Sequence, residues 1–509
     1  MGQTGSLKPL TGRADVRERQ PVWIRWTVFV VVALLGLAVR LPQLGARPMH
    51  IDEAVNAYIV GQLLAGQAFT YDAKDRHGPA LAALALPLAR MHGAKTFPEL
   101  TESELRLTAV VAGTFMILLF GAGVDMFGFA PCVIGALLFA FAPLPVYYDR
   151  YFIHESLFAV ATFGLLLAGW RACIKRSAML AAIAGACAAL MLACKETAVL
   201  HFFALAAAGL VFWLWNRRGE RHRGVLRLGM VLTAAAVFLL VSLMLFTWFG
   251  SNWSAIAGLM HAGPSMLARA GGEGHEKPFW YFGKLLIGGW SGGLISALAC
   301  IGLFLTVRKR DAGPYGFLGW YAVFVAVIYS VIPYKTPWLA LNLWLPMALF
   351  AGITMTRLWN IPGRYPALQV PMRALCVLLG TVAAVLIAHD TRERVFVHPA
   401  DENNPYAYAH TGEDLLGLSG EIAEVARQDG LASPRIAVIA SDPWPLPWYL
   451  RHYSQVGFWQ PGQQVGPADF YITSTEAADQ YSDQLKDFQP EFFGVRPGVL
   501  ILLWEPARK

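Results

Sequence analysis

Residues 178–215 read AMLAAIAGACAALMLACKETAVLHFFALAAAGLVFWLW, and the acidic and basic residues in them are the adjacent Lys195 and Glu196. How this stretch is read decides the topology of the whole chain. A membrane span takes about 20 apolar residues, so 178–215 is either one overlong span or two. Both flanks are basic, Arg171 to Arg176 before it and Arg217 to Arg227 after it. Such flanks belong on the cytoplasmic side. Two flanks on one side require an even number of crossings. The chain therefore turns round near Lys195-Glu196 and presents that pair on the outer face.

The same rule extends over the rest of the chain. Of 509 residues 56% are hydrophobic and 15% charged, against about 25% charged in soluble domains. Eleven spans are expected, at 22–40, 104–124, 131–147, 156–172, 178–194, 197–215, 226–248, 285–306, 314–332, 338–356 and 373–389. The first lacks a small-residue cleavage site and ends in Arg40-Leu41-Pro42, so it is read as a retained span. Basic segments at Arg13 to Arg25, Arg308 to Arg310 and Arg357 to Arg373 join the two above inside. This orients an integral protein of the cytoplasmic (inner) membrane with its N-terminus inside and its C-terminal segment outside. The formal charge of +7 is dispersed over short loops, which excludes a nucleic-acid-binding surface. Six cysteines lie in or beside apolar runs without a CxxC and read as small buried hydrophobes, not disulfides or a zinc site.

Two regions stand outside the spans. The first outer loop, 41–103, carries Val55, Tyr58, Ile59 and Leu63 at helical spacing, so Asp52 starts an interfacial amphipathic helix. A second follows Pro79 through Leu81, Leu84, Leu88 and Met91. From 390 onward short apolar runs alternate with turns: an amphipathic helix at Glu421 to Arg427, then Arg435 to Ala440, Phe470 to Thr473 and Val499 to Trp504. That pattern predicts a small α/β domain. The expected organisation is an all-α polytopic membrane domain over 1–389 and an extracytoplasmic α/β domain over 390–509.

The outer face collects acids and bases together. It displays Asp52-Glu53, Lys74-Asp75-Arg76-His77, Arg106, Asp149-Arg150 with His154-Glu155, Lys195-Glu196, His275-Glu276-Lys277 and Tyr334-Lys335-Thr336. The inner loops hold almost nothing but Lys and Arg. Ionisable residues at membrane depth are costly and usually functional. Asp52 and Glu53 suit a helix N-terminus; alternatively Asp52 is a general base that takes a proton from an attacking acceptor. One base suffices for inverting displacement at a sugar carbon, whereas retention needs a second carboxylate as nucleophile. Lys74, Arg76, His77, Arg106, Lys195 and Lys335 are candidates to offset charge on a departing phosphate. Arg106 instead suits an ion pair with Glu102 or Glu104, and Lys195 a snorkelling position. Asp149, Arg150, His154 and Glu155, with Glu196, are candidates to orient donor or acceptor; the loop could equally be a self-contained salt-bridged turn. A divalent cation on Asp52, His154 and Glu155 would lack the usual ligand spacing, and no metal or other cofactor is expected. Gly271-Gly272-Glu273-Gly274-His275-Glu276 reads as a flexible linker or, alternatively, a gate over the site.

These features, in this order and on this face, resemble the GT-C glycosyltransferases over nearly the whole chain, in particular protein O-mannosyltransferases and the aminoarabinose transferase that modifies lipid A. Tyr334-Lys335-Thr336-Pro337-Trp338-Leu339, Asn404-Pro405-Tyr406-Ala407-Tyr408-Ala409-His410 and Trp448-Tyr449-Leu450-Arg451 are similar to the flippase-activity-associated family named for archaeal N-glycosylation. The resemblance implies a GT-C-like fold, a polyprenyl-phosphate sugar donor and inversion. It gives Asp52 the base role with Glu53 as companion, matches Arg106 to the Arg opening the second span, and places Lys335 in the lipid-phosphate pocket. His77-Gly78-Pro79 departs from the family's Lys or His before Pro-Pro, which leaves the phosphate contact open among Lys74, Arg76 and His77.

The expected function is transfer of a sugar from a polyprenyl-phosphate donor to a protein, lipid or glycan acceptor on the extracytoplasmic face. The alternative is a flippase or flippase accessory for lipid-linked sugars. The enzyme reading makes one geometric demand: Asp52 and several cations from distant segments must meet in one cavity.

Overall fold

Inside a bilayer the backbone has no partner but itself, and the expected spans accordingly form helices in the computed structural model, which describes residues 21–73, 76–216, 227–272, 274–308, 313–361 and 366–507. Arg13, Lys74, Asp75, Arg217, Glu273 and Arg310, all named above, lie outside the described residues. Among the described residues nine helices are long and apolar enough to cross a membrane, from Val22–Arg40 and Glu102–Ala122 to Gln369–Val397. Two shorter apolar helices, Phe129–Phe141 and Ala178–Cys194, occupy the positions of the two remaining expected spans. Helix 178–194 ends at Cys194, Lys195 takes an extended conformation (φ −158°, ψ 143°), and the next helix starts at Ala198.

Two spans are less continuous than expected. The run 131–147 breaks at Ala142 (ψ 147°), because Pro143 and Pro145 follow and the residue before a proline is driven out of the helical region. Residues 143–148 then form a separate short helix. The run 285–306 breaks at Gly288-Gly289, with Gly289 at φ +82°, dividing Tyr281–Ile287 from Trp290–Arg308.

The membrane core packs Phe29, Met116, Phe120, Phe139, Phe163 and Leu349 from five helices into one cluster. Beside it lies a fully buried ion pair: Asp149 Oδ2 accepts from Arg40 Nη2 at 2.7 Å and from Arg40 Nε at 3.0 Å. Ser156 Oγ donates to the other carboxylate oxygen at 2.7 Å. Gly113 makes room for it, since a β-carbon there would lie 2.1 Å from Asp149 Oδ2. Gly113→Ala is expected to displace this pair and lower stability by roughly 3 kcal/mol, the range of overpacking plus a disturbed buried charge. A thermal melt of the detergent-purified protein reads it, and an unchanged midpoint would contradict the account.

In the first outer loop both expected helices are present, Ile51–Leu64 and Ala80–Met91. Their buried faces differ from the expected ones. Ile59 and Leu63 are buried, but Tyr58 is exposed, and the stripe that packs inward is Glu53, Ala54, Ala57, Val60 and Gly61. In the second helix Ala82, Ala85, Leu86 and Ala89 are buried with Leu81, whereas Met91 is exposed. Small side chains let these helices lie close to the bundle, and size outweighs hydropathy in choosing the face.

The C-terminal region forms a five-stranded mixed sheet of order β2-β1-β3-β5-β4, from strands Arg435–Ile439 (β1), Gln455–Trp459 (β2), Phe470–Ser474 (β3), Phe488–Arg496 (β4) and Val499–Pro506 (β5). The helix Leu418–Gln428 precedes it. The edge strands β2 and β4 were not expected from the sequence. Ile436, Val438 and Trp448 share a core with Ala54, Ala57 and Leu81, and the short helix Leu446–Tyr449 joins the sheet region to the helix Ile51–Leu64. Polar ties add to that seat: Met49 N donates to the Tyr449 hydroxyl at 2.9 Å, Thr411 Oγ1 to Met49 O at 2.7 Å, and Trp448 Nε1 to Glu102 Oε1 at 2.8 Å.

Candidate active site

Asp52 and Glu53 are adjacent in sequence and separate in role. The helix Ile51–Leu64 is capped by His50, whose Nδ1 accepts from Asp52 N at 3.0 Å, while Glu53 Oε2 reaches back to accept from His50 N at 3.2 Å. This is a capping box with histidine as the cap. It occupies Glu53 and leaves the Asp52 carboxylate without a hydrogen-bond donor among the described residues. One step of about 100° along the helix turns Glu53 into the protein and Asp52 into a cavity.

That cavity has a volume of about 620 Å³. Four distant segments bring charge to it: Asp52 from the first helix of the loop, Arg76 and His77 from the segment after it, His154 and Glu155 from the second loop, and Lys195 and Glu196 from the break in 178–215. All belong to one end of the helix bundle. At the other end Arg171 pairs with Asp125, an acid in a region where the sequence had led us to expect cations.

The charges are ordered by contact. Lys195 Nζ lies 2.5 Å from Glu155 Oε1 and 5.8 Å from the Trp338 ring centroid. Burial works against its charge, but Glu155 overcomes this and holds the ammonium above its usual range. His77 Nδ1 lies 2.9 Å from Glu196 Oε2, and the Tyr71 hydroxyl donates to Glu196 Oε1 at 2.7 Å. Burial alone would raise Glu196; His77 and these bonds bring it down to about 2. His154 is pushed well below the usual imidazole range by burial and by its neighbours His77 and Lys195. It is therefore neutral, and its Nε2 donates to Gly78 O at 3.3 Å. Gly78 itself packs against the end of helix 178–194, where an added β-carbon would meet Ala193 O at 2.2 Å. That close approach keeps His77 beside Glu196.

Five of the other expected site residues do not line this cavity. Glu53 and Arg106 form a fully buried bidentate pair, Nε to Oε1 and Nη2 to Oε2 each at 2.8 Å; Arg106 pairs with Glu53 instead of Glu104. Asp149 serves Arg40 as described. Arg150 donates to the carbonyl oxygens of Arg40 and Pro42, each at 2.6 Å. Lys335 is buried with its ammonium on Lys277 O and Ile332 O at 3.1 and 2.5 Å, while its neighbours Tyr334 and Thr336 line the cavity. Lys74 falls outside the described residues. The trio Asp52, His154 and Glu155 shares the cavity but does not gather its oxygen and nitrogen atoms within 4.8 Å of one another; among the described residues Glu421, Glu491 and Glu505 on the sheet domain do.

Sequence reasoning passed over several groups at the site. His50 is one; its Nε2 donates to Tyr408 O at 3.0 Å, so the tail segment 404–410 threads back to the Asp52 helix. Arg47 is another, held over the rings of Tyr147 and Tyr151 at 4.9 and 4.6 Å and 3.8 Å from Glu53. Tyr71, Tyr329 and Trp444 also line or touch the cavity. Each stands as a single residue, in a loop or, for Tyr329, in an apolar run, with no spacing that marks it.

Compared by sequence, the chain matches no family model and no curated protein. Compared by structure, it is similar to ArnT from Cupriavidus metallidurans bound to undecaprenyl phosphate, with a TM-score of 0.66 over 94% of this chain and 98% of that one, at 16% identity. The fold is that of the GT-C glycosyltransferases. A second structure with the GT-C fold, the Archaeoglobus fulgidus oligosaccharyltransferase tethered to an acceptor peptide, gives a TM-score of 0.59 at 12% identity over 96% of this chain and 74% of that one. The arabinofuranosyltransferase AftD from mycobacteria gives 0.50 at 14% identity, covering 94% of this chain and 42% of that one. At these identities the likeness concerns the fold alone.

Proposed function

We propose that this protein is a membrane glycosyltransferase that moves a sugar from a polyprenyl-phosphate donor to an acceptor on the extracytoplasmic face. The observation that carries this reading is the cavity in which the Asp52 carboxylate, with no donor among the described residues, shares a wall with Lys195, Arg76 and His77. In the reaction Asp52 takes the acceptor's proton as the acceptor attacks the anomeric carbon. The bond from that carbon to the phosphate oxygen breaks, and the cations offset the charge on the departing polyprenyl phosphate. Among the described residues Glu155 is held by Lys195, and Glu196 by His77 and Tyr71, so Asp52 acts without a second nucleophilic carboxylate, which suits inversion. The fold of ArnT, whose structure holds undecaprenyl phosphate, supports a lipid-phosphate donor. The N-terminus is inside and the sheet domain outside, in the cytoplasmic membrane.

Flippase activity would call for polar positions at several depths along a path. The charges lining this cavity cluster at one end of the bundle. Reconstitution with a polyprenyl-phosphate sugar tests the reading. Release of polyprenyl phosphate is the expected result, and movement of intact donor across the bilayer without cleavage overturns it.

A further inference from the structure

One buried polar group in the membrane core has no part in the scheme above. His201 is fully buried, next to Phe158 at a ring distance of 4.9 Å, and lies between two tyrosines on one neighbouring helix. Its Nδ1 is 2.6 Å from the Tyr321 hydroxyl and its Nε2 is 2.6 Å from the Tyr329 hydroxyl. Tyr321 is buried without exposure; Tyr329, two turns further along the helix, lines the cavity.

Counting donors and acceptors gives this chain a direction. Among the described residues the Tyr321 hydroxyl has one partner, His201 Nδ1. A buried hydroxyl proton left unpaired is costly, so Tyr321 donates to Nδ1. Among the described residues no carboxylate bonds His201, and an isolated buried imidazolium is costly too, so the ring is neutral. Its single proton then sits on Nε2 and is donated to the Tyr329 oxygen. Asn342 Nδ2 approaches the same oxygen at 3.5 Å. With its oxygen accepting from these nitrogens, Tyr329 has its own proton still to give, and it stands on the wall that also carries Lys195 and Glu155. The surrounding wall is apolar, from Leu200, Ile332 and Leu339, which strengthens a hydrogen bond made there.

We propose that Tyr329 is a fixed hydrogen-bond donor to a phosphate oxygen of the lipid-linked donor, and that His201 and Tyr321 are positioning residues that keep its proton aimed into the cavity. This rests on the reading of the cavity as a polyprenyl-phosphate site. A donor held by a relay complements Lys195, because it adds direction where an ammonium adds charge. It also carries no charge of its own, so keeping it in the empty cavity costs less than a further ammonium would.

The test measures binding of sugar-free polyprenyl phosphate to the full-length protein in detergent, with a thermal melt on each variant. Tyr329→Phe keeps the ring and removes the donor; a loss of roughly 10- to 100-fold in affinity is expected for a hydrogen bond to a charged oxygen. Tyr321→Phe, remote from the cavity, lets the His201 proton move to Nδ1 and is expected to weaken binding several-fold. The double variant should bind no worse than Tyr329→Phe alone, because both act through one proton. Additive losses would mean that Tyr321 acts only through packing, and they overturn the relay. Wild-type affinity in Tyr329→Phe overturns the phosphate contact, as does a loss seen only with the sugar-linked donor. Failure of the wild-type protein to bind polyprenyl phosphate removes the functional reading together with the inference. Should Tyr329→Phe melt early, Tyr321→Phe alone still decides: weakened binding with a normal melt supports the relay, and wild-type affinity overturns it.

Discussion

Asp52→Asn is expected to abolish sugar transfer, by a factor on the order of 10² to 10⁴, the usual contribution of a positioned general base, while the protein folds and still binds the lipid. The reason lies in how the helix start is built. Had Asp52 been the cap, its loss would have been a stability effect, and activity and folding would fall together. The cap is His50, and the reciprocal contact is Glu53, so asparagine at 52 keeps the size and loses only the charge. The remaining cost is the carboxylate's interaction with the helix dipole, about 0.3–1 kcal/mol. The check is an initial-rate assay beside a melting curve. A variant that melts normally and transfers at the wild-type rate removes Asp52 from the chemistry, whatever else lines the cavity.

The separation of Asp52 from Glu53 also shows how far the sequence could be read. Helix number and order were legible because about 20 apolar residues have one way to satisfy their backbone in lipid. The break at Lys195 was legible because two basic flanks demand an even number of crossings. Collection of charge on one end of the bundle followed from the same count, and the cavity contains Asp52, Arg76, His77, His154, Glu155, Lys195 and Glu196. What composition cannot distinguish is a charge facing a cavity from a charge paired behind it. Asp149 and His154 sit five residues apart in one loop; Asp149 is sealed against Arg40 while His154 lines the cavity. The difference comes from Gly113 and Arg40, residues 36 and 109 positions away in sequence, which no local pattern announces. The strands β2 and β4 were missed for a related reason. They are edge strands with half-exposed residues, and β4 contains Pro490 and Gly494, which read as turn signals until a neighbouring strand supplies the partner.

Removing either member of the Glu53–Arg106 pair is expected to cost about 3–5 kcal/mol, because it leaves the other charge buried and uncompensated. The pair is a junction of four segments. Arg106 lies on the second span and donates to the carbonyl oxygens of Leu44 and Arg47 at 2.9 Å and of Pro48 at 3.2 Å. Glu53 accepts in turn from Phe152 N of the second loop at 2.8 Å. Glu53→Ala and Arg106→Ala should therefore each lower the melting midpoint, and the double variant should lose less than the sum, since it buries no orphan charge. The pH dependence has a definite sign. Burial alone would raise Glu53, but Arg106 holds it at about 2, below its usual value of 4.5. A depressed carboxyl contributes its stability above the unfolded value, so this share, about 3 kcal/mol, is present above pH 4.5. It is lost as the pH falls towards 2. Across that window the melting midpoint should fall with pH in wild type and fall less in the double variant. If Glu53 instead served as a second catalytic carboxylate, Glu53→Ala would melt like wild type and lose only its rate. The buried, fourfold-bonded position of its side chain makes the opposite result the expected one: a protein that loses its fold before its chemistry is tested.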